Sequence, residues 1–219
     1  MIERSLTYPS NGAEITLDAY LPAADGQHPT IVALHGSGGM SNGAPLVRGL
    51  TRPIVAAGFA VFVPHYFEST KTTRSDFATS RRNFVTWMKT IADAFSHVER
   101  EPGVAPDRIG LIGISLGAFL GLSVASQDPR VRAVVDFFGG LPDEIAASCT
   151  RMAPTLILHG DADPIVPVAE AHKLRAVLEA REVPHEIRIY PGEGHIFSPL
   201  AALDAAGRTM SFLSRHLKS

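Results

Sequence analysis

The stretch from Ile109 to Ser126 constrains this chain more than any other. Its 18 residues carry no charge, which approaches the ~20 apolar residues that cross a bilayer. Yet it holds Gly110, Gly113, Gly117 and Gly121, with Ser115 near its centre. Glycines at that density suit a strand, a sharp turn and a buried helix. We therefore read a strand ending at Ile114, a turn at Ser115 and an apolar helix from Ala118 to Ser126.

Such a strand needs a sheet on both sides of it. Four other short apolar runs lack alternation: Thr30–Leu34, Phe59–Val63, Val131–Phe137 and Thr155–Leu158. Runs of this type are buried on both faces, as in a parallel sheet. The first strands instead read as antiparallel and partly exposed, because Glu14 to Leu21 alternates apolar and polar residues. His185–Tyr190 reads as a further strand. Helical spacing lies between the strands. Asp76 to Glu101 puts Phe77, Phe84, Met88, Ile91, Phe95 and Val98 on one stripe, and Pro102-Gly103 stops it. Val168–Arg181 aligns Ala171, Leu174 and Leu178. Ala202–Leu217 aligns Leu203, Ala206, Met210, Leu213 and Leu217. Leu46–Ala57 is a helix that Pro53 is expected to kink or break. Strands alternating with helices predict an α/β fold, a mostly parallel central sheet with helices on both faces. The 219 residues, without repeat or linker, fit one domain over 1–219.

Charge narrows the partners. Lys and Arg total 20 against 22 Asp and Glu, a net charge of −2. That balance gives no footprint for nucleic acid or an anionic membrane. The N-terminal residues Met1 to Ser5 are polar, unlike a signal peptide. Cys149 is the one cysteine, which excludes an intrachain disulfide and favours a cytoplasmic setting.

The turn itself reads Gly113-Ile114-Ser115-Leu116-Gly117, a G-x-S-x-G pattern between an apolar strand and an apolar helix. In that context the serine sits on a strained turn that lifts its hydroxyl above the sheet, and side chains two positions away would clash. The following helix aims its N-terminus at a developing oxyanion. Glycines at 113, 117 and 121 do not match a dinucleotide or P-loop fingerprint.

A serine nucleophile needs a base and an acid that orients the base. After the Thr155–Leu158 strand, Asp161 and Asp163 both stand in His159-Gly160-Asp161-Ala162-Asp163-Pro164-Ile165-Val166-Pro167, where loop acids of α/β sites are built. Asp-x-Asp-Pro also favours turns, so one of the two serves the turn. Of nine histidines, His195 lies on the Gly-rich loop after the last strand, placed to swing over Ser115. His172 is mid-helix, His185 begins a strand, and His97 and His216 read as helix-surface residues. Two backbone donors are needed for an oxyanion. Leu116 supplies one; the other comes from His35-Gly36-Ser37-Gly38-Gly39, with Ser37 ahead of Gly36.

Together these segments resemble the dienelactone hydrolase family of α/β-hydrolases over most of the chain. Leu17-Asp18-Ala19-Tyr20-Leu21-Pro22 and Pro29-Thr30-Ile31-Val32 are similar to the family's opening. Asp107-Arg108-Ile109-Gly110 is similar to its lead-in to the elbow, and Gly194-His195 to its histidine loop. The resemblance assigns the catalytic aspartate to Asp163 and implies an α/β-hydrolase without a lid domain. Three departures mark this sequence. Members named for dienelactone hydrolysis carry an elbow cysteine, where Ser115 stands here. They hold a glutamate in the early loop, where His35-Gly36-Ser37 has none. They place an arginine after the histidine, where Ile196-Phe197-Ser198-Pro199 follows here. The sequence looks closer to a serine esterase branch.

The expected reaction is hydrolysis of a small carboxylic ester or lactone through an acyl-enzyme, with no metal and no organic cofactor. One alternative is a dienelactone hydrolase acting on an anionic lactone through Arg74 or Arg81. Another is a non-catalytic binding module. Tyr66, Phe67 and Phe197 are candidates for substrate contacts, with Phe138-Gly139-Gly140 beside them. The chain is expected to act as a monomer or homodimer on a small-molecule substrate, in an open site.

Overall fold

The computed structural model describes residues 1–218, and their side chains apart from those of residues 42–46 and 48. Among these residues eight strands form one sheet: β1 (Ile2–Ser10), β2 (Ala13–Leu21), β3 (His28–Leu34), β4 (Ala60–Pro64), β5 (Val104–Ile114), β6 (Val131–Phe137), β7 (Thr155–Gly160) and β8 (His185–Tyr190). Their spatial order is β1-β2-β4-β3-β5-β6-β7-β8. The β1–β2 and β2–β4 pairs are antiparallel, and the pairs from β4–β3 through β7–β8 are parallel.

Among the described residues six α-helices accompany the sheet: α1 (Gly39–Ala56), α2 (Phe77–Val98), α3 (Leu116–Ala125), α4 (Asp143–Ser148), α5 (Ala169–Ala180) and α6 (Pro199–Leu217). The central strands are apolar on both faces because each face meets its own helices. Val32, Leu34, Leu111, Val134 and Ile157 pack with Trp87, Ile91 and Phe95 of α2, Leu120 of α3 and Leu174 of α5. Their alternates Ile31, Ala33, Ile112, Val135 and Leu158 pack with Ile54 of α1 and Phe212 and Leu213 of α6. Period-two side chains thus feed two cores from one sheet. Among the described residues no helix is long and apolar enough to cross a membrane; the uncharged stretch is shared between β5 and the ten-residue α3.

Several expectations need correction. The helix containing Pro53 is not broken there and runs from Gly39 to Ala56. Pro53 sits in its last turn, where the missing N–H removes one hydrogen bond, and Ala57 N–H still donates to Pro53 O at 3.1 Å. Phe77 and Leu203 were placed on buried stripes, but they are 84% and 72% exposed. Phe77 is the first residue of α2, and Leu203 stands between Ala201 and Ala205, which take the inward face of α6. The edge strand β1 begins with four exposed residues, Ile2 to Ser5.

The parallel topology brings the loops together. Leu34 lies opposite Gly113, and Ile114 opposite Phe137. The carboxyl ends of β3, β5 and β6 therefore open side by side, with β3 lying between β4 and β5. The crevice beyond the strand ends is where open α/β sheets bind ligands.

Candidate active site

Ser115 follows β5 immediately and carries φ +54°, a left-handed backbone that a non-glycine residue holds only under constraint. The constraint is close packing. A Cβ on Gly113 would stand 2.7 Å from Ala118 N, and one on Gly117 would stand 2.5 Å from His35 O. Ser115 N–H donates to Phe137 O at 2.9 Å, which ties the turn to the end of β6. Leu116 is the first residue of α3, so its N–H belongs to the helix-terminal donors without an intrahelical acceptor.

His195 comes five residues after β8. Its Nε2 lies 3.0 Å from Ser115 Oγ, and its Nδ1 lies 2.7 Å from Asp163 Oδ2. Asp163 comes three residues after β7 and has a buried side chain. Its Oδ1 accepts the N–H groups of Ile165 at 2.8 Å and Val166 at 3.0 Å. Burial pushes the Asp163 carboxyl up, but the His195 hydrogen bond and the two amides outweigh it and hold the group below the usual carboxylate range. Asp161 serves the turn: its Oδ1 accepts Gly192 N–H at 2.7 Å.

The loop after β3 lies against this row. A Cβ on Gly36 would stand 3.3 Å from Ser115 Cβ. Ser37 is exposed, and its carbonyl accepts Ser75 N–H at 2.8 Å. Phe197 is half-buried, its ring 4.8 Å from Tyr190 and 5.3 Å from Phe138. Tyr66 and Phe67 are not on the surface of the site. They begin a short 3-10 turn, Tyr66–Thr70, and are 0% and 3% exposed. Their rings pack on His35, at 4.2 Å and 4.8 Å between centroids. They lie beneath the Gly36–Ser37 loop because the turn after β4 folds them into the α2 core.

Residues 17–207 match the family model described as the dienelactone hydrolase family. The chain belongs to the dienelactone hydrolase family. It is similar to a Bradyrhizobium protein named "Probable 2-oxo-3-(5-oxofuran-2-ylidene)propanoate lactonase", 28% identical over 150 residues, 59% of each chain. It is 22% identical over 212 residues to a Synechocystis protein named as a presumed carboxymethylenebutenolidase, covering 88% of this chain and 85% of that one. The fold matches the crystal structure of a dienelactone hydrolase from Anabaena variabilis with a TM-score of 0.80, 20% identity and 99% and 98% coverage. The sheet and its helices are those of an α/β-hydrolase, and the protein is a hydrolase of ester or lactone bonds.

Two more residues of this dienelactone hydrolase family member stand beside the Ser115 row: His159, to which the sequence assigned no role, and Phe138, which it grouped with the substrate-contact candidates. His159, the penultimate residue of β7, is buried, with Nε2 2.9 Å from Val166 O and 3.5 Å from Asp163 Oδ2. The Val166 carbonyl only accepts, so His159 Nε2 donates to it; burial lowers the imidazole pKa. The Phe138 ring lies 4.7 Å from that of His195, on a backbone with φ +45°. The sequence signal for His159 is weak, a histidine beside the acid loop.

Proposed function

We propose that this hydrolase cleaves small carboxylic esters or lactones with Ser115 as nucleophile, His195 as base and Asp163 as the orienting acid. The observation that carries the reading is the continuous row from Ser115 Oγ through His195 to Asp163, with contacts of 3.0 and 2.7 Å. His195 Nε2 accepts the Ser115 proton as Oγ attacks the carbonyl carbon. Asp163 accepts Nδ1–H, which fixes the tautomer and stabilises the imidazolium. The N–H groups of Leu116 and Ser37 receive the charge that develops on the carbonyl oxygen. His195 then protonates the leaving alcohol, and activates the water that releases the acid.

Two exposed apolar side chains favour an uncharged substrate. Ile165 and Ile196, 67% and 68% exposed, stand on the loops of Asp163 and His195. A second reading, an anionic lactone, draws on the Ser75 N–H to Ser37 O contact at 2.8 Å. It brings the segment of exposed Arg74 against the oxyanion loop. A small molecule is the proposed partner, for a monomer or homodimer in the cytoplasm.

The test pairs a fluorophosphonate probe with p-nitrophenyl acetate. Ser115 is expected to be labelled, and Ser115→Ala to lose both labelling and turnover. An unlabelled wild-type protein, or a fully active Ser115→Ala protein, would point to a binding module instead. An ester and lactone panel varied in charge separates the two substrate readings.

A further inference from the structure

We propose that His35 and Tyr66 are positioning residues that fix the direction of the Gly36 and Ser37 amide N–H groups beside Ser115. The proposal rests on the serine-hydrolase reading above and identifies what holds its second oxyanion donor.

His35 is fully buried. Its Nδ1 lies 2.9 Å from Gly36 O. A carbonyl oxygen only accepts, so Nδ1 carries the proton and donates. Burial lowers the imidazole to about 4, despite the raising effect of the Gly36 carbonyl. The ring is therefore neutral near pH 7, with its lone pair on Nε2. That Nε2 is buried and has no hydrogen-bond partner among the described residues. A buried nitrogen without a partner is a cost that a leucine or phenylalanine would avoid. What an apolar residue could not supply is the Nδ1–H.

Tyr66 acts one peptide unit earlier. Its hydroxyl donates to His35 O at 2.7 Å. Its ring stacks on the imidazole with centroids 4.2 Å apart and planes 11° apart, while Phe67 closes on the imidazole edge-on. The peptide bonds described here are trans, so N–H and C=O of one unit point in opposite directions. Pinning the His35 carbonyl sets the Gly36 N–H, and pinning the Gly36 carbonyl sets the Ser37 N–H. Gly36 O has a second donor in Gly39 N–H at 3.1 Å.

The clamp stands next to the nucleophile. A Cβ on Gly36 would touch Ser115 Cβ at 3.3 Å, and His35 O crowds Gly117 in the first turn of α3. With glycines at 36, 38 and 39 the loop has little stiffness of its own. Donors held in place before the reaction stabilise an oxyanion better than donors that must reorient. The side chains of His35 and Tyr66 supply that order from below.

The experiment compares His35→Leu, His35→Asn, His35→Gln and Tyr66→Phe with wild type on p-nitrophenyl acetate. A trifluoromethyl ketone, which forms a tetrahedral adduct, is titrated as inhibitor alongside. Removing an oxyanion donor outright costs ~10²–10³ in kcat, and loosening one is expected to cost about tenfold to hundredfold. His35→Leu should lose that factor in kcat, with KM changed less than about threefold, and inhibitor affinity should fall by the same factor. His35→Asn places an amide N–H where Nδ1 stood and should recover most of kcat. His35→Gln places its amide at the Nε2 position and should not. Tyr66→Phe keeps the stack and should still lose kcat, which covers the case of a His35→Leu protein that does not fold. Equal activity of the Leu and Asn variants, rescue by Gln, or a loss confined to KM would overturn the proposal. A wild type without turnover or labelling would overturn the parent reading, and this one with it.

Discussion

Asp163 meets His195 through a single oxygen: Oδ2 faces Nδ1 at 2.7 Å, while Oδ1 is committed to the backbone amides of Ile165 and Val166. An asparagine keeping its carbonyl oxygen on those amides would turn its NH₂ toward His195. Nδ1 would then have to accept, leaving Nε2 protonated and unable to take the serine proton. Asp163→Asn is expected to reduce kcat on the order of 10⁴-fold. Melting should shift by only a few degrees, which differential scanning fluorimetry would check.

Asp136 gives the fold a pH dependence of opposite sign to that of Asp163. It lies in β6, fully buried. Burial pushes its carboxyl up to about 7, against the Gly139 N–H that it accepts at 2.8 Å. The folded protein thus keeps a proton that the unfolded chain, with an ordinary pKa near ~3.9, has lost. Stability should fall as pH rises from about 4 to about 7 and then level off, by at most about 4 kcal/mol. Asp163, held low, contributes stability above the ordinary carboxylate pKa and loses it as pH falls through its folded value. Thermal melts of wild type and Asp136→Asn at pH 5, 6, 7 and 8 would separate the groups. The variant should lose the decline between pH 5 and 7; a parallel decline in both proteins would refute the assignment.

Gly113 and Gly117 face backbone rather than yielding side chains, at Ala118 and at Leu34 and His35. Alanine at either position must displace a strand end or the first turn of α3. Each substitution is expected to cost roughly 1–3 kcal/mol or more. Fluorophosphonate labelling of Ser115 should slow even where the protein remains folded, because the strained φ can no longer be held.

Trp87 is the base on which the clamp rests. It is fully buried, lies 4.3 Å from the Phe67 ring and donates from Nε1 to Thr70 Oγ1 at 2.9 Å. Trp87→Ala should cost about 3–5 kcal/mol in urea unfolding. Trp87→Phe should cost less and lower kcat by a few-fold through the loop above. As the one tryptophan, it allows the site's floor to be followed by fluorescence.

The candidate site is legible in the sequence where the proposed chemistry would force residue types into a fixed order. Ser115 needs crowded glycines, and loops after β7 and β8 are the places from which an acid and a base can reach it. Asp161 and Asp163 could not be separated by turn chemistry, because both make turn contacts; the contact of Asp163 with His195 distinguishes them. Tyr66 and Phe67 misled because aromatics after a strand look alike whether they line a pocket or support its floor. Leu203 misled because its size suggests the core, while the smaller Ala201 and Ala205 hold the buried face of α6; Phe77 misled as the first residue of α2, at the end of its stripe. The role of His35 depends on a carbonyl direction, which no pattern of residue types encodes.

Among the described residues the sheet ends at β1 on one side and β8 on the other, and these two edge strands present unpaired backbone hydrogen-bonding groups. Such rows invite pairing with another chain. β1 carries Glu3, Arg4 and Pro9, and β8 carries Glu186 and Arg188, with Arg215 of α6 reaching across to Glu186. Charge and a proline at these borders discourage one molecule from extending the sheet of the next. The apolar central strands that build the catalytic platform are thereby kept from seeding an aggregate.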